Sequence, residues 1–405
     1  MLSRRGWAAA GTAALVLGLG AGAGWQLARP LPPARLVGLP AVQGQVGSAP
    51  LSLRWPAQGQ SSVYLDGFGY LGSSPGEEPV PIASVTKVMT ALVVLRSRPL
   101  SPGTAGPELS VGPEDVLLYQ QERALGDSVV AVAAGRPLSE LQALQGLLVA
   151  SGDNLALLLA DWVSGSEVAF VGRMNAAAIQ LGMDHTHFAD PAGLDPSSRS
   201  TATDLVRLLR AAMAIPVLAG IVALRRIQLP LGGSHANYNP ILADPGVIGV
   251  KTGWTAQSLG CLAFAATARV AGREVVLLGA VLGQPGGPSG GLEAAGTAAL
   301  ALLAQARRQL RLLRLPASGR RLGEIRTAWA PAQPLALARP LELVVPRGLA
   351  LRTIGWLQRL RPPWGSGGAA ATLVLQTGRS ALVRLALYPS RRLEGPSWWW
   401  RLFRV

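Results

Sequence analysis

Ser84 and Lys87 stand three residues apart in Ala83-Ser84-Val85-Thr86-Lys87, an S-x-x-K arrangement. Lys87 is one of only two lysines in 405 residues; the other, Lys251, opens Lys251-Thr252-Gly253-Trp254-Thr255, and the remaining cationic side chains are arginines. A guanidinium is effectively never deprotonated, whereas burial or a neighbouring cation converts an ammonium to the neutral amine. A bias toward Arg, Ala, Gly and Pro explains why lysine is rare. It does not explain why both lysines fall beside hydroxyl residues. At i and i+3 of a helix, Ser84 and Lys87 face the same way, and a serine at the helix start lies among free backbone N–H groups. A neutral Lys87 amine could take the Ser84 proton and make a nucleophile, with Lys251 as the second cation that depresses its pKa. An N-cap serine beside an exposed lysine fits the same three-residue spacing.

Two further clusters belong with these. Lys251 to Thr255 follows Val247-Ile248-Gly249-Val250 on a predicted strand. Gly253 leaves room for a ligand backbone, Thr252 and Thr255 offer hydroxyls, and Lys251 offers a charge for a carboxylate. The Trp254 N–H could act with the Ser84 N–H as an oxyanion donor pair. Ser151-Gly152-Asp153-Asn154 precedes an apolar helix, where Ser151 either relays a proton from Lys87 or simply caps the helix.

Around these residues the chain reads as mixed α and β. Ser61-Val63-Leu65 alternates as a strand. Helical spacing predicts helices over Ser84–Leu95, Leu141–Ala150, Asn154–Val163, Glu167–Leu181 and Thr201–Ala214, the last opened by a Thr201-x-x-Asp204 capping box. Cys261–Val270 and Glu274–Leu282 read as a hairpin turning at Ala271-Gly272-Arg273, and Gly291–Leu310 as a closing helix. After Leu315, short runs such as Leu341–Val345, Ala371–Gln376 and Leu382–Tyr388 alternate with turns such as Pro362-Pro363-Trp364-Gly365, as in a small all-β domain.

Composition narrows the function. The apolar fraction of 49% supplies real cores. One cysteine, Cys261 in an apolar run, excludes an internal disulfide and reads as a buried structural thiol. His185, His187 and His235 are too few and too scattered for a zinc hydrolase, and no metal or cofactor is expected. Met1 to Arg5 is basic and Gly6 to Ala28 uncharged: either a signal cleaved near Ala21-Gly22-Ala23 or a retained anchor. Both readings imply export. The net charge of +15 sits wholly in residues 307–405, with 18 arginines against Glu324, Glu342 and Glu394. Such a surface suits an anionic membrane or cell-wall polymer; export argues against nucleic acid. The end, Trp398-Trp399-Trp400-Arg401-Leu402-Phe403-Arg404, fits either the membrane interface or an edge strand packing its tryptophans on the β domain.

S-x-x-K, then Ser-Gly-x, then K-T-G-x-T, in this order and at these separations, resembles the serine D-alanyl-D-alanine carboxypeptidases, the low-molecular-mass penicillin-binding proteins. Met174-Asn175, Leu181-Gly182-Met183, Phe188 to Asp195, Ser200 to Asp204 and Asn237-x-Asn239 extend the likeness over about Ser52 to Leu310. The resemblance implies an α+β fold: an antiparallel sheet flanked by helices with an all-helical lobe, as in DD-peptidases and β-lactamases, followed by a small all-β domain. The expected organisation is a signal or anchor at 1–28, a linker at 29–47, the peptidase at 48–312, a β-sandwich at 313–395 and a Trp/Arg-rich tail at 396–405.

By the same resemblance Ser84 is acylated, Lys87 is its base, Ser151 relays the proton, and Lys251, Thr252 and Thr255 hold the substrate carboxylate. The implied activity removes the terminal D-alanine from peptidoglycan stem peptides at the cell envelope, with β-lactams as inhibitors. Alternatives are a D,D-endopeptidase, a β-lactamase, disfavoured because no Glu-x-x-Leu-Asn deacylating segment is present, or a non-catalytic penicillin-binding envelope protein. Two departures stand out. Asp153 occupies the position where the family usually has Asn, and an ionised Asp153 beside Lys87 would oppose its role as base. Asp153 could turn toward Lys251, be tolerated in a cation-rich site, or give way to Asn154. No arginine lies between Arg273 and Arg307 to assist Lys251.

Overall fold

In the strand Leu259–Val270, Leu262 and Phe264 point to one face, Ala263 and Ala265 to the other, and all four are fully buried. A strand apolar on both faces needs cover on both. The computed structural model, which describes residues 4–39, 52–317, 322–349, 351–358, 368–377 and 380–404, provides it. Residues 40–47 of the expected linker, Met1 to Ser3, the Pro362–Gly365 turn and Val405 lie outside the described residues.

Among the described residues the helices are, in chain order, α1 (Arg4–Ala28), α2 (Lys87–Ser97), α3 (Pro113–Leu125), α4 (Glu140–Leu148), α5 (Asp153–Ser164), α6 (Glu167–Gln180), α7 (Ala202–Met213), α8 (Pro216–Val222), α9 (Gly287–Gln309) and α10 (Trp398–Phe403). The chain divides into two units: Leu51–Leu312 with Val344–Pro346, and Met1–Pro50 with Leu313–Leu343 and Arg347–Val405.

The first unit is built on a five-stranded antiparallel sheet. Its strand order is Val247–Thr255, Leu259–Val270, Arg273–Gln284, Gln60–Leu65, Gly69–Ser73. Ala271 and Gly272 both take positive φ, as a two-residue primed turn requires, and join Val270 to Arg273. On the Leu262–Phe264 face lie Ala295, Ala299, Leu302 and Leu303 of α9. On the Ala263–Ala265 face lies the helical lobe, in which α2 touches α4, α5, α6 and α7. Lys87 to Leu95 are all buried, which is why α2 is apolar around its circumference rather than along one stripe. The K-T-G strand is an edge strand, so one side of its backbone is left to face the start of α2.

One local expectation needs correction, and another, the buried thiol, holds. Thr201 caps α7, accepting from Asp204 N at 3.1 Å, but the capping box is not reciprocal. The buried Asp204 carboxylate instead accepts from His185 N and Thr186 Oγ1 and pairs with Arg207, tying down the preceding loop. The Cys261 thiol is fully buried, and burial pushes its pKa up to about 11.

The second unit holds a six-stranded antiparallel sheet in the order Arg35–Val37, Glu324–Arg326, Gln333–Leu337, Ser380–Pro389, Ala371–Thr377, Leu351–Leu357, over a core including Leu322, Ile325, Leu335, Leu373 and Leu387. Arg35–Val37 lies inside the stretch read as a linker; its backbone pairs with Glu324–Arg326 rather than with water. The tail is a helix, α10, with Trp398 and Trp399 exposed, and not an edge strand. Among the described residues no single helix is long and apolar enough to cross a membrane; the bent pairs α5–α6 and α7–α8 meet that composition only jointly and are largely core.

Candidate active site

A 3-10 turn, Ala83–Thr86, runs directly into α2. Ala83 adopts φ 47°, a strained conformation for a residue with a Cβ. A Cβ at Gly193 (φ 84°) would overlap the Ala83 carbonyl, so only glycine lets that loop close on the turn. The Asp190 carboxylate accepts from Gly193 N and Asp195 N and holds the loop in place.

One turn beyond Ser84, the Lys87 side chain is shut fully away from solvent. Its Nζ donates to Ser84 Oγ at 2.6 Å, Asp153 Oδ1 at 2.5 Å and Ala192 O at 3.0 Å. Three acceptors around one nitrogen match the three protons of an ammonium. The reading of Ser84 as a cap beside an exposed lysine is excluded by that burial.

Ser151 is not a helix cap either. Gly152 is the N-cap residue of α5 and makes no side-chain bond, while Ser151 has φ 60° and faces the cavity. Asp153 starts α5, where the helix dipole favours an anion. Its Oδ2 accepts from Ser128 N at 3.0 Å, and its own N–H donates to Ser128 O at 2.7 Å. Asn154 faces away, exchanging hydrogen bonds of 2.9 Å with Val130 N and O. Of the three expectations for Asp153, turning toward Lys251 and yielding to Asn154 are both overturned: the carboxylate sits on Lys87.

The K-T-G strand closes the opposite side. A Cβ on Gly253 would stand 2.9 Å from Ser84 N and 3.0 Å from Ile82 O, so the absence of a side chain lets the strand pass over the nucleophile turn. Lys251 is buried and donates to Thr252 O at 3.0 Å. Burial, then the charge of Lys87, brings its pKa down to about 7, with Asp153 opposing. The Thr255 hydroxyl is bonded within a turn to Ser258, which caps Thr255 N as well. The Trp254 indole N–H is buried without a hydrogen-bond partner among the described residues.

Ser84, Ser151, Asp153, Thr252, Gly253, Trp254 and Thr255 line one cavity of about 600 Å³. Its other walls include Leu194, from the Phe188–Asp195 stretch of the resemblance, and residues the sequence did not single out: Asp127 and Ser128 after α3, Tyr238 and Leu292. Behind Asp153, Glu122 of α3 is buried, with Oε2 unpartnered. Burial first, then Asp153 and Asp127, push its carboxyl up to about 7, against the opposing charge of Lys87. No sequence spacing marks Glu122, because only the packing of α3 on α5 brings it there. Such a site can generate an alkoxide, shelter an acyl group and pair with an anion.

Sheet, helical lobe and a serine–lysine pair under an edge strand define a serine hydrolase of the DD-peptidase fold. The sequence pattern of the D-alanyl-D-alanine carboxypeptidase family matches residues 71–284, and the chain belongs to that family. It is 36% identical over 250 residues to the D-alanyl-D-alanine carboxypeptidase DacB2 of Mycobacterium tuberculosis, covering 60% of this chain and 81% of that one. It is 34% identical over 209 residues to a D-alanyl-D-alanine endopeptidase of Pseudomonas aeruginosa, covering 50% and 64%. The Streptomyces K15 DD-transpeptidase superposes with a TM-score of 0.54 at 26% identity over 62% of this chain and 98% of that one. Penicillin binding protein 5 of Haemophilus influenzae shares the fold, with a TM-score of 0.62 at 21% identity over 84% and 100%.

Proposed function

We propose that the protein is a penicillin-sensitive serine D-Ala-D-Ala carboxypeptidase that trims peptidoglycan stem peptides through an acyl-enzyme. The observation carrying this reading is the contact of the buried Lys87 Nζ with Ser84 Oγ inside the cavity. Ser84 Oγ attacks the carbonyl of the penultimate D-alanine, and the Ser84 and Trp254 backbone N–H groups receive the oxyanion. Lys251, Thr252 and Thr255 hold the terminal carboxylate.

The base must be an amine, yet Lys87 faces a carboxylate. The 2.5 Å contact supplies a route: a proton moved from Lys87 to Asp153 leaves an amine toward Ser84 and a carboxylic acid behind it. Lys87 then takes the Ser84 proton, and Ser151 passes it to the departing D-alanine amine. Water attacks the ester in the second half-reaction, with Lys87 again the acceptor.

Labelled penicillin tests the reading. A persistent adduct on the Ser84 peptide is the expected result; rapid turnover would indicate a β-lactamase, and no adduct a non-catalytic protein. The likeness to an endopeptidase supports a second reading of the same chemistry. Release of D-alanine from a free pentapeptide, compared with cleavage of a cross-linked dimer, separates the two.

Peptidoglycan hydrolysis belongs to the cell envelope. We place the protein, exported, at the outer face of the cytoplasmic membrane or in the periplasm, with the basic C-terminal region on an anionic membrane surface or cell-wall polymer.

A further inference from the structure

The two ends of the described chain are fastened together. Arg404 donates to three backbone carbonyls at the C-terminal end of α1: Gln26 O at 3.3 Å, Arg29 O at 2.6 Å and Pro30 O at 3.1 Å. Arg401 reaches Leu27 O at 3.5 Å, and Gln26 Nε2 returns a bond of 2.5 Å to Arg404 O. The last carbonyls of a helix have no partner within it, and a cation there also meets the favourable end of the dipole. Here the cap comes from more than 370 residues away.

What the clasp gathers is apolar and exposed. Leu15, Val16, Leu17 and Leu19 of α1 are each more than 60% exposed and fall around most of its circumference. Trp25, Trp398, Trp399 and Phe403 are each more than half exposed. Trp398 stacks on Trp399 at 4.1 Å and Trp399 on Phe403 at 5.3 Å, so the rings form one ridge. Arg29 lies over Trp25 and Arg404 over Trp400, and Arg391 and Arg392 are exposed nearby in sequence. A helix apolar all round and a ridge of aromatic rings among arginines match the boundary between headgroups and acyl chains, where rings and guanidinium groups find both apolar and anionic neighbours. From Gly6 to Ala28 the sequence of α1 carries no charged residue, so the clasp fastens the aromatic ridge to an uncharged apolar helix.

We propose that α1 and α10 form a single two-ended anchor that docks on an anionic phospholipid bilayer, with Arg401 and Arg404 fastening the aromatic ridge to the end of α1. This deepens the membrane-surface reading above and rests on it. α1 brings one ring, Trp25, to its C-terminal end, and six-residue α10 is too short to hold its shape without a docking partner.

Flotation of the full chain with phosphatidylglycerol–phosphatidylethanolamine vesicles tests this. The unaltered protein floats. Arg401→Ala/Arg404→Ala and, from the α1 side, Gln26→Ala lower partitioning, the double variant by about tenfold, as far as Trp398→Ala/Trp399→Ala/Phe403→Ala does. Penicillin labelling stays unchanged in all of them and reports that the catalytic unit is folded. If the double variant floats as well as the unaltered protein, the joint anchor is refuted while membrane binding stands. If the unaltered protein ignores vesicles and pellets with peptidoglycan sacculi, membrane docking itself is wrong.

Discussion

Lys87 Nζ and Asp153 Oδ1 lie 2.5 Å apart with both side chains closed off from solvent. A desolvated pair of this kind contributes little net stability, yet removing one partner leaves a buried charge with no counter-ion. Asp153→Ala is therefore expected to lose about 3–5 kcal/mol in chemical denaturation. Asp153→Asn keeps the shape but not the charge, and its NH2 group must face either Lys87 Nζ or Ser128 N–H, so it too is expected to lose stability, though less than Asp153→Ala. An amide cannot take the Lys87 proton, so penicillin acylation should fall below the parent's rate. Acylation at the parental rate would show that Asp153 is not the acceptor of that proton.

Lys87→Arg keeps a cation and removes the possibility of an amine. Acylation of Ser84 is expected to fall by about 10²–10⁴-fold, the range of a general base. Adduct formation at the parental rate, followed by mass spectrometry, would remove Lys87 from the role of base.

Lys251 carries the pH dependence of substrate binding. Its folded pKa is lowered from 10.5 to about 7 by burial and by Lys87. A depressed lysine favours folding above its unfolded pKa, and that contribution is lost as pH falls through the window from 10.5 to about 7. For a substrate carboxylate the ammonium is the useful form, so kcat/KM on a peptide with a free C-terminus should decline about tenfold per pH unit above neutrality. The C-terminal amide of the same peptide should lack this decline.

Glu122 works in the other direction. Its carboxyl is raised from 4.5 to about 7, so the native state holds the proton more tightly than the unfolded chain. Stability from this group is present below 4.5 and is lost as pH rises to about 7. Glu122→Gln should raise Tm more in mildly alkaline than in mildly acidic buffer, by roughly 2–4 °C for each kcal/mol relieved. Equal gains in both buffers would mean that Glu122 is not the titrating group.

Gly253→Ala places a methyl group 2.9 Å from Ser84 N. Edge strand and nucleophile turn must separate, and a displacement of about 1 Å is expected to slow acylation by about 10²-fold. Near-parental acylation with an unshifted Tm would show that the strand does not press on Ser84.

Much of the catalytic unit was legible in the sequence because its signals are local. Helical spacing marked α2, α5 and α7, and the turn pair Ala271-Gly272 marked the long hairpin. Less could be read where partners are distant. Arg35–Val37 looked like linker because its pairing strand begins at Glu324. Ser151 resembled a cap because its left-handed backbone is set by tertiary contacts rather than by residue type. Trp398–Phe403 could have been strand or helix, since six residues with three tryptophans carry no decisive period.

The sequence by itself determined the chemistry available to this protein. Two lysines among arginines, each beside hydroxyl residues, identify the amines that can exchange protons, and the order of the three boxes carries the family. Tertiary structure decided how charge is distributed among them. Asp153 lies on Lys87, Asn154 faces away, and Glu122 stands behind them on another helix. Electrostatic coupling depends on distance and burial, and both arise only when α2, α3, α5 and the edge strand pack together.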